Sequence, residues 1–168
     1  MSNPVQNAAV SLRLFQPGDE DFLVEVYGST REAELAMVPW DAAQRLAFVR
    51  SQHAAQLHHY QAEYPKAVHQ IIELDGKPVG RLYVDRRELE IRIMDLTLLP
   101  EHRGQGIGTP IIRELMGEAS KAGKSLTIHL ESFGQGSRSQ SLFERLGFKP
   151  TESNGFHVLF VWNNEDAG

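Results

Sequence analysis

Cysteine is absent from this chain. That excludes a disulfide framework, a thiolate nucleophile and any zinc site built on cysteine. An excess of positive charge is also missing: 17 Lys and Arg stand against 22 Asp and Glu, a net charge of −5. No nucleic-acid or membrane partner is therefore expected, and an anionic ligand has to be met by local groups rather than by a global field. No apolar run approaches the ~20 residues of a membrane span. The opening MSNPVQNAAV lacks the basic-then-apolar pattern of a signal peptide, so the expected location is cytoplasmic. No repeat, linker or low-complexity stretch divides the 168 residues. One domain is expected over 11–162, with a flexible start (1–10) and a flexible tail (163–168).

What the chain does have is a cluster of glycines. Gly104, Gly106 and Gly108 alternate with Arg103, Gln105 and Ile107, and Thr109 and Pro110 follow. Leu96–Leu98 read as the end of a strand, and the segment from Ile107 carries helical spacing. Glycine takes φ > 0 cheaply and lets an anion approach the backbone. The helix that begins there aims unpaired N–H groups and its positive dipole end at the turn. Such a turn is a site for phosphate, and Pro110 fits the first helical turn. Two phosphate fingerprints fail on residues. The dinucleotide pattern needs glycine where Thr109 stands, and the P-loop needs a Gly-Lys pair that is missing.

The remaining patterns set the element order. Ser11–Phe15 alternates as a strand. Asp19 is placed to cap a helix to about Ser29. Glu32–Met37 could form a helical turn. Asp41 and Gln44 predict a capping box for a helix to about His58, with Ala42, Leu46, Val49, His53 and Leu57 on its inner side. Lys66–Leu74 and Val79–Asp85 predict a hairpin across Asp75-Gly76. Leu89, Ile91 and Ile93 add a third strand. A helix to Gly123, a strand Ser125–Glu131, a helix Arg138–Leu146 and two final strands, the last over 156–162, complete the order. The expected class is α/β (α+β): a mixed, mostly antiparallel central sheet with helices on both faces.

The turn, with its Pro100-Glu101-His102-Arg103-Gly104 lead-in, resembles the signature of the GCN5-related N-acetyltransferases (the GNAT family). Leu142-Phe143-Glu144-Arg145-Leu146-Gly147-Phe148 is similar to a second family segment, and the resemblance covers about residues 11–162. It implies acetyl-coenzyme A as co-substrate, no metal, and transfer of acetyl to a primary amine of a small molecule or peptide by direct attack in a ternary complex. Dimers are common in the family, so a homodimer is among the expected states.

The resemblance also assigns residues. Backbone groups of Leu96, Thr97 and Leu98 would pair with the pantetheine arm. Arg103, Gly104, Gln105, Gly106, Ile107, Gly108 and Thr109 would surround the pyrophosphate, with Arg138 and Lys149 as further cations. Glu90 would be the general base, with Asp95 second, and His129 and Glu131 share a strand face that could line the same cleft. Where many members carry a tyrosine that protonates the leaving thiolate, this chain has Phe143 beside the cofactor, and Gly136 replaces an asparagine. Ser137, Ser139, Ser141 and Tyr83 are alternative proton donors. Without one, the same scaffold would serve as a non-catalytic acyl-CoA-binding or regulatory module. The acceptor pocket would draw on Trp40, His53, His58, His59, Tyr60, Tyr64, Asn154, Phe156 and His157. Adjacent histidines point apart on a helix, so His58-His59 is no metal site.

Overall fold

The structure, a computed structural model, describes residues 9–133 and 135–164, and gives only the backbone for 135–138. The elements run β1 (Val10–Leu14), α1 (Glu20–Ser29), a one-turn α2 (Glu32–Leu35), α3 (Ala42–Glu63), β2 (Val68–Leu74), β3 (Lys77–Arg86), β4 (Glu90–Leu98), α4 (Gly108–Ala122), β5 (Ser125–Glu131), α5 (Gln135–Arg145), β6 (Lys149–Ser153) and β7 (His157–Trp162). The seven strands order as β1-β2-β3-β4-β5-β7-β6. Two compact units make up the chain. One takes in the chain up to Tyr83 together with Leu96–Ile107; the other takes in Val84–Asp95 and the chain from Gly108.

In the first unit the local signals act as read. Asp41 accepts from the Gln44 amide at 2.8 Å and the Gln44 side chain accepts from the Asp41 amide at 2.9 Å, a full capping box. The β2–β3 turn needs φ > 0 at both central residues, and Asp75 (φ 51°) and Gly76 (φ 80°) supply it. Two expectations change. α3 continues to Glu63 rather than stopping near His58, and Leu46, expected on its inner side, is 48% exposed. The buried face of α3 is carried by Val49 and His53, so its covered stripe is narrower than the helical spacing of apolar residues suggested.

Asp19 precedes α1 but makes no side-chain cap. Its carboxylate instead receives both terminal nitrogens of Arg13, at 2.9 and 2.8 Å, and the Gln16 amide at 2.8 Å. Arg13 also donates to Glu73 at 3.0 Å. The Arg13 hydrogen bonds hold the Asp19 carboxyl below its usual range. An unfolded aspartate titrates near ~3.9. Asp19 therefore contributes stability above that value, and the contribution is lost as pH falls through its lower folded value. Asp19→Asn is expected to lower the urea midpoint at pH 7 and to flatten its fall between pH 5 and pH 2. A midpoint that falls as steeply as in the wild type would count against this pairing.

In the second unit, α4 connects two parallel strands, β4 and β5. It buries Ile111, Ile112, Leu115 and Ala119. It closes at Gly123 (φ 68°), where the Gly123 amide donates to Ser120 and the Lys124 amide to Ala119. β5 pairs with β7 along its whole length, Leu126↔Trp162 to Glu131↔His157. Its register with β4 is shorter, Glu90↔Ser125 to Ile93↔Ile128. Met94 and His129 are thus the first residues past that ladder, and from there β5 is held by β7.

Candidate functional site

β4 ends at Leu98 and a short 3₁₀ turn, Pro100–His102, leads into the glycine segment. Gly104 and Gly106 adopt φ of 71° and 80°, values that side chains disfavour. A Cβ placed on Gly104, Gly106 or Gly108 would meet no atom within 4 Å. These glycines are therefore not demanded by crowding from the protein, and the space beside the turn is open. Among the described residues, no backbone carbonyl accepts from the amides of Gly104 to Ile107. Open space beside Gly104 and Gly106, and amides that no backbone carbonyl claims, give the turn a chemistry that fits a phosphate group.

Arg103 does not simply extend over the turn. Its Nε donates to the Leu98 carbonyl at 3.0 Å and a terminal nitrogen lies 3.3 Å from the Ser29 hydroxyl. Gln105 turns its side-chain amide back to the Glu101 carbonyl at 2.9 Å. Thr97 and Leu98 lie against β3, because the Leu99 amide donates to the Val79 carbonyl at 2.9 Å and Gly80 approaches both residues.

Glu90 opens β4 in the second unit. Its carboxylate accepts from the Thr127 hydroxyl (2.8 Å), from Arg87 (3.1 Å) and from Arg92 on both oxygens (3.4 Å each). These contacts fill the roughly four lone-pair sites a carboxylate offers. Burial pushes the Glu90 carboxyl up, but Thr127, Arg92 and Arg87 outweigh that and hold it below its ordinary value. Thr127 is 2% exposed and also accepts from Arg92 Nε at 2.7 Å. An arginine nitrogen can only donate, so the single hydroxyl proton of Thr127 goes to Glu90. Two residues on, His129 is exposed, and neither ring nitrogen has a hydrogen-bond partner among the described residues. Partial burial and then the Arg92 charge push its imidazole below the ordinary value, so it is neutral at pH 7.

The Acetyltransferase (GNAT) family model matches residues 34–148, more than half of the chain. This chain belongs to the GNAT family. A human protein, N-acetyltransferase 8B, is 35% identical over 83 residues, which span 48% of this chain and 36% of that protein. The match thus reaches little more than a third of the curated relative. PaiA N-acetyltransferase from Thermoplasma acidophilum, solved in complex with coenzyme A, superposes with a TM-score of 0.69 at 16% identity, covering 92% of this chain and 99% of that one. RimL, a ribosomal L7/L12 α-N-protein acetyltransferase solved with coenzyme A, gives 0.61 at 18% identity, covering 96% and 97%. At such identities the two structures establish the GNAT fold.

Other expected positions in this GNAT chain separate. Phe143 is 3% exposed and stacks edge-on against Phe148 at 5.1 Å, so it serves as packing in the second unit. Tyr83 is 3% exposed, lies against His69 (4.4 Å) and Tyr60 (5.1 Å), and burial raises its phenol. That is a poor position for a proton donor. Asn154 spends its side-chain oxygen on the amides of Phe156 and His157. Trp40 packs on Phe48 at 5.2 Å, His53 is buried near Tyr27, and His59 is near Tyr60 and Tyr64. His58 lines a separate cleft of about 280 Å³ with Phe15, Glu20 and Leu57. Asp95 is half-buried on β4. Gly136 falls in the first turn of α5, and the side chains of Ser137 and Arg138 lie outside the described residues. No group of three or more metal-ligating side chains occurs among the described residues, and none of the described helices is long and apolar enough to cross a membrane.

Two features escaped the sequence. Gly80 looked like any strand residue, yet it marks the close approach of β3 to Thr97 and Leu98. Thr127 and Arg92 carried no motif; only their pairing in register across β4 and β5 reveals them.

Proposed function

We propose that this protein is an acetyl-CoA-dependent N-acetyltransferase that acts on a primary amine of a small molecule or peptide, by direct attack in a ternary complex. The observation that carries the reading is the glycine turn. Among the described residues no backbone carbonyl accepts from its amides, and a side chain added at Gly104 or Gly106 would meet nothing within 4 Å. Those amides, with Gly108 and Thr109 at the start of α4, would hold the pyrophosphate, and the backbone of Leu96–Leu98 would align the pantetheine arm. Bound acetyl-CoA supplies an acyl group already activated as a thioester. The chain's own work is to hold that group, orient the amine and assist the proton transfers from nitrogen and to sulfur. Glu90, the base implied by the family resemblance, is ionised and available in charge, but its oxygens are occupied by four donor contacts.

A second reading is a non-catalytic acyl-CoA-binding module. It is favoured by Phe143, a hydrocarbon packed against Phe148 where a proton donor would be expected. Thiol release separates the two. With acetyl-CoA and a panel comprising a dipeptide, a lysine peptide, a polyamine and an amino sugar, the enzyme reading expects amine-dependent release of free thiol. A rise in melting temperature with acetyl-CoA but no release with any amine would favour the binding module.

A further inference from the structure

We propose that the cleft between α3 and the start of α1 is a binding site for a small organic ammonium ion with an apolar body. The cleft holds about 280 Å³, below the usual range of pockets for drug-sized ligands and cofactors, so its ligand is smaller than coenzyme A. All of its lining residues belong to the first unit. Ala54, Leu57, His58 and Gln61 stand at i, i+3, i+4 and i+7, so a single face of α3 supplies one wall. Phe15, Pro17 and Glu20 supply the other. Nothing about the cleft requires the glycine turn. Glu20 and Ser29 are the two ends of α1, about 13–14 Å apart at the rise of a helix, and it is Ser29 that meets Arg103.

Both walls are braced by the protein itself. Arg50 of α3 donates to Asp21 of α1 at 2.9 Å. The Phe15 ring stacks on His69 at 4.9 Å, and the Phe15 amide donates to the His69 carbonyl at 3.0 Å. His69 in turn stacks on Tyr83 at 4.4 Å. The aromatic wall is therefore in place before a ligand arrives, and contact with Phe15 and Leu57 is gained at little ordering cost.

The polar groups of the cleft select the charge. No lysine or arginine lines it, and Glu20 is its one carboxylate. Asp19, Glu20 and Asp21 stand together at the start of α1, and two of them are taken, Asp19 by Arg13 and Asp21 by Arg50. The Glu20 side chain makes no hydrogen bond or ion pair among the described residues, and neither do those of His58 and Gln61. Each of the three offers an acceptor: a carboxylate, an imidazole nitrogen and a carboxamide oxygen. A primary ammonium carries three N–H donors, and its apolar body would cover Phe15 and Leu57. The positive end of α1 works against a cation, but it amounts to about half a charge, and the Glu20 carboxylate carries a whole one. An anion would meet that carboxylate, and a neutral hydrocarbon would cover three polar groups without satisfying them.

The test follows the Leu57 methyl signals of the whole chain by NMR at pH 7. One titrant is phenethylamine, an ammonium ion at that pH; the other is 3-phenylpropionate, which carries an anionic end on a similar body. Phenethylamine is expected to shift those signals saturably, and 3-phenylpropionate to bind about tenfold more weakly or worse. Glu20→Gln is expected to weaken phenethylamine roughly tenfold and to bring the two probes together. Ala54 is exposed, so Ala54→Trp is expected to fill the cleft and abolish the saturable shift with the melting temperature unchanged. If that variant melts lower, Glu20→Gln, also at an exposed position, decides alone. A wild type without a saturable shift at roughly 10 mM phenethylamine, tenfold above a millimolar Kd, would overturn the proposal. So would equal affinity for the two probes, or an affinity for phenethylamine that Glu20→Gln leaves unchanged.

Discussion

Replacing Gly106 by valine is expected to leave the protein folded and to remove the rise in melting temperature that acetyl-CoA gives the wild type. A ligand that binds only the folded state adds about 2.7 kcal/mol at a hundredfold excess over its Kd. In a protein of this size that is a shift of roughly 5–10 °C. Gly106 sits at φ 80° with nothing near its missing side chain. A β-branched residue there carries strain of about 1–3 kcal/mol, which the fold can bear, and its methyl groups fill the space beside the turn amides. Thermal unfolding with and without acetyl-CoA measures both effects. A variant that melts a few degrees lower but still gains the full ligand shift would show that the phosphate groups bind elsewhere.

Gly80→Ala is expected to do the reverse: a smaller side chain with a larger loss of stability. The added Cβ would lie 2.3 Å from the Thr97 carbonyl oxygen and 3.0 Å from the Leu98 Cα. Both obstacles are backbone, so no rotamer change relieves them. Overpacking of this kind usually costs about 1–3 kcal/mol, and an immovable neighbour puts this case at or above the upper figure. The melting temperature of the unliganded protein is then expected to fall by roughly 6 °C or more. A fall of under 2 °C would mean that β3 and β4 separate easily at this point. The two glycines thus test different things, one the approach of a ligand and the other the approach of two strands.

These two positions also show how much could be read from residues alone. Gly104 and Gly106 announced themselves, because alternating glycines between a strand and a helix have few other uses. The same holds for Asp75-Gly76 and for the Asp41–Gln44 box, where the chemistry is complete within four residues. Gly80 did not, because a close approach between strands is a property of the partner, and no local pattern encodes it. Leu46 was misplaced for a related reason: helical spacing says which side chains share a face, not how much of that face another element covers. Glu90 was found as a residue, but its employment was hidden. Thr127 lies 37 positions away, and only the parallel register of β4 with β5 brings its hydroxyl to the carboxylate.

Arg103 fastens the last carbonyl of β4 and reaches the end of α1 at Ser29. A guanidinium engaged in this way acts as a tie within the fold before it acts as a counter-ion. An anion resting in the glycine turn would be greeted chiefly by uncharged peptide dipoles at short range. Such attraction is much less exposed to screening by dissolved salt than that of a mobile surface cation, so occupancy of the turn would follow its shape more than the ionic strength around it.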